Sequence, residues 1–125
     1  MSYKPDDVLN QLEPVIQKLD SILKSFDQNS VDKYYSAVHE FQCLDLCSKS
    51  NSFEFWDRKD IDKLSSKLSK IQSLVDHVNR LLSDEEKCDA DQMVITGNTA
   101  AITTEISTIR DRINRKTEDD SLVSE

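Results

Sequence analysis

The chain has 125 residues and a formal net charge of −8, with 32% charged and 37% hydrophobic residues. This length suits one ordinary domain whose modest core needs no disulfide or structural metal. One glycine and two prolines are too few for the tight turns of most β-sheet proteins. The negative charge disfavours binding to nucleic acid or to anionic membranes and favours a basic partner.

The sequence contains no segment typical of export or of membrane insertion. No N-terminal run has the basic, apolar and small-residue order of a signal peptide, and no apolar stretch reaches the roughly 18 residues of a membrane-spanning helix. Three cysteines, without the dense spacing of a secreted scaffold, are typical of reduced thiols. We therefore expect a cytoplasmic or nuclear protein without membrane insertion.

The first predicted helix carries an apolar seam, meaning apolar residues that recur at alternating intervals of four and three residues along one helix face. Pro14 lies inside this pattern and removes one helical hydrogen bond, so we expect a kink between Gln11 and Pro14. The seam consists of Val8, Leu12, Val15, Leu19, Ile22 and Phe26.

A second, less regular helix is expected to begin at Ser30, which is a favourable N-cap residue, and to fray in the polar segment 48–52. Phe53, Phe55 and Trp56 follow directly. Two interpretations of this aromatic cluster are open. The rings plug the end of a helical bundle, which we favour, or they form an exposed anchor for a partner, because aromatic residues dominate binding hot spots.

The third predicted helix has the most regular pattern, and Asp57 and Asp60 place negative charge at its start. The segment from Ser83 to Glu86 has the form of a capping box, which predicts a break after the helix. The seam of this helix is Ile61, Leu64, Leu68, Ile71, Val75, Val78 and Leu82.

A fourth helix is predicted to follow this capping box and to be polar through Asp91, with Asn98 as an alternative start. Its many β-branched residues would also suit a strand, but the spacing is helical and does not alternate. Thr99 is the polar member of its seam, and we interpret it as a register device whose replacement by isoleucine raises stability and loosens partner choice. The seam is Ile95, Thr99, Ile102, Ile106, Ile109 and Ile113.

These patterns predict an all-α protein, an elongated antiparallel helical bundle or coiled coil of about four helices. The domain is expected to span residues 1–116. The remaining segment, 117–125, is acidic and has few apolar residues, so we expect it to be disordered.

We find no motif for catalysis or cofactor binding, and we expect no catalytic, cofactor-binding or metal-binding residues. His39, Cys43 and Cys47 share one helix face, and Cys88 could join them as a fourth zinc ligand. However, three residues on successive turns rise about 12 Å, which is too far for one ion. Cys43 with His39 as a catalytic nucleophile remains a minor alternative.

Seams without a site for chemistry are typical of proteins that bind other helices. We expect a non-enzymatic scaffold or adaptor subunit that co-assembles with other helical proteins, with self-association also open. In length and periodicity the chain is similar to small acidic helical subunits of kinetochore, vesicle-tethering, lysosome-related-organelle and transcription-mediator assemblies. The expected interface residues are Leu12, Leu19, Phe26, Trp56, Leu64, Leu68, Ile71, Val75, Val78, Ile102, Ile106 and Ile109.

The alternative is a standalone bundle that acts as a chaperone or regulatory inhibitor of one client protein. Burial of every seam within one chain favours this alternative, whereas an exposed seam favours an obligate subunit. Ser83 and Thr117 precede acidic residues, a common and weak pattern for phosphorylation by an acid-directed kinase. For Ser83, helix capping is the simpler role.

Overall fold

The computed structural model describes residues 4–84 and 91–123, with side chains described for residues 4–84 and 91–115. The described residues form helices and contain no strand, so the all-α prediction is confirmed. The elements are α1 (Pro5–Lys24), α2 (Ser30–Cys43), α3 (Leu46–Lys49), a 3₁₀ helix (Ser50–Phe55), α4 (Arg58–Leu82) and α5 (Gln92–Val123).

Helix α1 begins at Pro5, where a missing amide hydrogen costs nothing, and Asp6 and Asp7 place negative charge in its first turn. It continues without interruption through Pro14 to Lys24. The carbonyl that Pro14 leaves without a helical donor belongs to Asn10, and both residues are exposed. Water can therefore satisfy this carbonyl, so the proline is tolerated inside the helix.

Helix α4 begins as the sequence predicts. Asp57 is its N-cap, and the Asp57 carboxylate accepts a hydrogen bond from the Asp60 amide at 2.9 Å. All seven residues of the predicted α4 seam are buried. The regular spacing over 25 residues therefore keeps one continuous apolar surface facing the core.

The four long helices enclose one core. Helix α1 packs on α2 and α4, and α5 packs on the same two helices from the other side. In cross-section the order around the bundle is therefore α1, α2, α5, α4, with α1 diagonal to α5 and α2 diagonal to α4. Buried side chains from all four helices form a single cluster.

Contacts between neighbouring helices give their relative directions. Between α4 and α5, Asn79 is hydrogen-bonded to Thr99, and the earlier residue Gln72 is hydrogen-bonded to the later residue Thr103. These two helices therefore run in opposite directions. Between α2 and α5, residues later in the first helix instead contact residues later in the second. Tyr34 bonds to Thr99, and Arg112 bonds to the Cys47 carbonyl just beyond α2, so α2 and α5 run parallel.

Helices α1 and α4 also run parallel. The starts of both helices line one surface depression, which includes Pro5 and Lys63, and farther along Glu13 pairs with Lys67. A short loop between consecutive helices forces them to run antiparallel. No such loop joins α1 to α4, because α2 and residues 44–57 lie between them in the chain. The predicted antiparallel arrangement therefore does not describe these two neighbouring pairs.

Residues 44–57, the crossing segment, connect α2 to the diagonally opposite α4 and cover one end of the bundle. Leu46, Phe53 and Trp56 are buried there, and the rings of Phe53 and Trp56 are tilted with centroids 4.8 Å apart. The segment contacts α5 through α3 and the 3₁₀ helix. Asp45, the second residue of the segment, has a φ of 48°, a left-handed conformation that Asp tolerates better than most residues.

Three predicted boundaries differ from the structure. Asn29 occupies the N-cap position of α2 without a side-chain capping hydrogen bond, and the Ser30 hydroxyl instead accepts a hydrogen bond from the Asp27 amide at 2.9 Å. Helix α5 begins at Gln92 and its backbone remains helical to Val123, into the segment that the sequence assigned to a disordered tail. No glycine or proline interrupts the chain there, so helix propagation can continue. Glu86 of the proposed capping box and Cys88 lie outside the described residues.

A partly buried polar junction connects α2, α4 and α5. The Thr99 hydroxyl lies 2.9 Å from the Ile95 carbonyl and 3.1 Å from Oδ1 of Asn79. Since the single Thr99 hydrogen is directed at these acceptors, the hydroxyl of fully buried Tyr34 donates to Oγ1 of Thr99. The junction reverses the expected effect of Thr99→Ile, because isoleucine would leave the Tyr34 hydroxyl without a partner.

We predict that Thr99→Val lowers the free energy of unfolding by about 1–3 kcal/mol, because it removes the hydrogen-bond partner of the buried Tyr34 hydroxyl and a donor to Oδ1 of Asn79. Urea denaturation followed by circular dichroism measures this loss. Tyr34→Phe in the Thr99→Val background should cost little more, so the two changes should be strongly non-additive. Additive losses, or a stabilised Thr99→Val variant, would show that the junction does not support the fold.

Candidate protein-binding surfaces

The residues that the sequence predicted as an interface lie in the core. All of them except Phe26 are buried, and Trp56 is only 5% exposed. They come from α1, α4, α5 and the crossing segment, and they contact one another inside the chain. The four seams therefore cover each other, and these side chains are not available to a partner on the surface of the folded protein.

Phe26 was wrongly placed in the α1 seam. Helix α1 ends at Lys24, so Phe26 lies in the loop before α2 and is 36% exposed. Phe55 differs in the same way from its aromatic neighbours, because it is 75% exposed while Phe53 and Trp56 are buried. The aromatic cluster thus plugs the bundle end with two rings and leaves the third on the surface.

Helix α5 presents a second periodic surface, opposite its buried seam. Met93, Gly97, Ala100 and Thr104, which we call the outer stripe of α5, follow intervals of four, three and four residues. All four are exposed, and Met93 is 84% exposed. The interval pattern places them on one face of the helix, where a further helix could lie along them.

The outer stripe of α5 lies in a region without charge. Residues 92–104 contain no Asp, Glu, Lys or Arg, although such residues make up 32% of the chain. Val94, beside the stripe, is 43% exposed. Met93 and Ala100 of the stripe, together with Thr96, line a shallow open groove of about 420 Å³. A Cβ atom added at Gly97 would meet no atom within 4 Å, so this surface is open to approach.

The only cysteine and histidine pair that the structure brings together within its described ranges is His39 and Cys43. Nε2 of His39 and Sγ of Cys43 are 3.4 Å apart on the exposed face of α2. Cys47 is partly buried, and burial raises the pKa of its thiol. Within those ranges no three His, Cys, Asp or Glu side chains assemble as a metal site would require.

A carboxylate pair lies where the crossing segment meets α5. Burial raises the pKa of Glu105, and the nearby Asp45 carboxylate raises it further. The Arg112 guanidinium donates to the Cys47 carbonyl and, at 2.5 Å, to the Ser50 hydroxyl. Arg112 thereby fastens the crossing segment to α5, while Glu105 remains electrostatically unfavourable in its ionised form.

Of the two candidate phosphorylation sites, Ser83 is exposed at the end of α4, and its amide donates to the Asn79 carbonyl at 2.9 Å. The side chain of Thr117 lies outside the described residues. No described helix is both long and apolar enough to cross a bilayer.

The chain matches no protein-family model, and no curated protein and no solved structure is detectably similar to it. Sequence reasoning overlooked the outer stripe of α5 because it followed the isoleucines of the buried seam. Two signals could have identified it, namely the uncharged run 92–104 and the second heptad spacing on the same helix.

We predict that Glu105→Gln raises the melting temperature at pH 7. A carboxyl group whose folded-state pKa is raised stabilises the fold below its unfolded-state pKa of about 4.3, and this stability is lost as the pH rises through the folded-state value. The gain from Glu105→Gln should therefore vanish at acidic pH in thermal melts followed by circular dichroism.

Asp111→Asn is a matched control, because it makes the same charge change at an exposed position of the same helix. It should raise the melting temperature less than Glu105→Gln does. Equal effects of the two substitutions would assign the gain to net charge alone and would contradict the local argument.

Proposed function

We propose that the protein is a non-enzymatic adaptor of the cytoplasm or nucleus that folds on its own and binds a helical partner protein in a larger assembly. The observation that carries this proposal is the exposed, uncharged, heptad-spaced outer stripe of α5. The proposal keeps the adaptor role expected from the sequence and moves the interface from the buried seams to the surface.

The chemistry of the outer stripe suits helix packing. Gly97 and Ala100 have minimal side chains, so a second helix can approach closely, within the 8–10 Å that separates packed helices. Met93 is flexible and polarisable and can adapt to an uneven apolar surface. Because the stripe carries no charge, docking there avoids the desolvation of ionised groups.

A standalone chaperone or regulatory inhibitor of one client is the second candidate, and the closed core favours it. A protein whose seams cover each other does not need another chain to complete its fold. The two candidates differ in the complexes they predict. An adaptor joins several different proteins in a fixed ratio, whereas a regulator forms a complex with one client.

We predict that Ala100→Glu weakens partner binding at least tenfold, because a carboxylate buried in a helix interface has no compensating partner. The tagged full chain and its variants are used to capture proteins from the native cell extract, and bound proteins are quantified by mass spectrometry. Ala100 is exposed, so the fold should survive, which circular dichroism verifies.

Gln17→Glu is the control for this experiment, because it adds the same charge at an exposed position of α1, the helix diagonal to α5. Partner proteins should remain bound to Gln17→Glu and be lost from Ala100→Glu. If no captured protein distinguishes the two variants, the outer stripe of α5 is not the binding surface.

We also expect the isolated chain to be highly helical at every concentration, because its seams are closed internally. Circular dichroism combined with sedimentation equilibrium over a wide concentration range measures this. Helicity that rises with concentration would mean that the core is completed by another chain, and it would restore the obligate-subunit hypothesis.

A further inference from the structure

The outer face of α4 has a third periodic surface, distinct from the buried seam and from α5. Its members follow intervals of four, three, four, three and four residues, and every one is exposed. This regularity places them along one line on the helix. We call this surface the basic stripe of α4, and it consists of Lys59, Lys63, Ser66, Lys70, Ser73 and His77.

The basic stripe opposes the charge of the rest of the molecule. Helix α4 contains six Lys or Arg and three Asp residues, which gives it a formal charge of +3 in a chain of −8. None of the three aspartates belongs to the stripe. The net charge by itself predicted a basic partner, but the local charge of this face attracts an acidic one.

The three lysines of the stripe are exposed, and Lys70 lies near enough to Glu13 to help lower the pKa of that carboxyl. Two other basic side chains of α4 already form ion pairs. Lys67 pairs with Glu13, and Nε of Arg58 lies 3.6 Å from Oδ1 of Asp62. No ion pair among the described residues includes Lys59, Lys63 or Lys70. These three ammonium groups can therefore meet a ligand without first breaking an internal salt bridge.

We propose that the basic stripe of α4 binds an acidic helix of a partner protein. The stripe extends from Lys59 to Lys70 over about 16 Å of helix axis. A helix with carboxylates at intervals of four and seven residues would place one carboxylate opposite each lysine. Exposed pairs contribute little individually, but several along one line add up and fix the register of the two helices.

A protein helix fits this surface better than nucleic acid or a membrane. The six positions of the stripe include no aromatic side chain on which a base could stack. They also include no large apolar side chain that could enter a bilayer. The overall charge of −8 repels an extended polyanion. A short acidic helix instead follows the line of lysines, although Lys59 and Lys63 share a surface depression with Asp6, Asp57 and Asp60.

This inference goes beyond the proposed function because it assigns a second binding surface of different chemistry on a different helix. The outer stripe of α5 takes an uncharged helix face, and the basic stripe of α4 takes an acidic one. Together they would let one chain hold two partners, and either surface can fail its test without affecting the other.

The test uses the full chain and a fluorescent alanine-based helical peptide that carries glutamates at the four-three-four spacing of the stripe. Fluorescence anisotropy measures binding to the wild type and to the triple variant Lys59→Gln, Lys63→Gln, Lys70→Gln. The triple variant should bind about tenfold more weakly or worse, and raising the salt concentration should weaken wild-type binding.

Two controls isolate the arrangement of the charges. The triple variant Lys24→Gln, Arg110→Gln, Arg115→Gln removes the same charge at exposed positions outside α4 and should bind the peptide as the wild type does. A peptide of the same composition with glutamates distributed around the helix should bind more weakly. Circular dichroism verifies that both triple variants are folded.

Equal losses in the two triple variants, or equal binding of the two peptides, would overturn the proposal, because either result means that net charge and not the stripe governs binding. Tighter binding to a single-stranded oligonucleotide or to vesicles containing phosphatidylserine would also overturn it, by assigning the surface to nucleic acid or to a membrane.

Discussion

The fold depends on one constraint, which is that each of four apolar seams must be covered by the others within a single chain. Hydrophobic burial at about 25 cal/mol per Å² is the main favourable term in folding, and in this protein it comes from one cluster to which α1, α2, α4 and α5 all contribute. Because a helix seam exposed to water would be unfavourable, the arrangement α1, α2, α5, α4 leaves none open.

This arrangement determines the route of the chain between α2 and α4. These helices occupy diagonal corners, so the crossing segment must pass over the bundle end, and it uses Phe53 and Trp56 to seal the core there. Arg112 of α5 fastens the segment, and the left-handed Asp45 turns the chain out of α2. The polar junction at Thr99 then connects α2, α4 and α5 through the hydrogen bonds of Thr99 to Tyr34 and Asn79.

Closing the core leaves the outward faces for function. Those faces are chemically unlike, because the outer stripe of α5 is uncharged and small whereas the basic stripe of α4 is positive in an acidic protein. Both have heptad spacing, which is the form in which a helix presents itself to another helix. We therefore keep the proposal that the protein binds helices, although the seams that first suggested it are buried in the core.

The sequence alone determined the all-α class and, apart from Phe26, the apolar seam residues that are buried, because a repeat of four and three residues is a local property of the chain. It also contained both outward stripes, since exposure of a helix face follows from its spacing. Only the tertiary structure decided which seam meets which, that α1 and α4 run parallel and that Thr99 pairs with Tyr34. These outcomes depend on contacts between residues far apart in the chain, about which a local repeat carries no information.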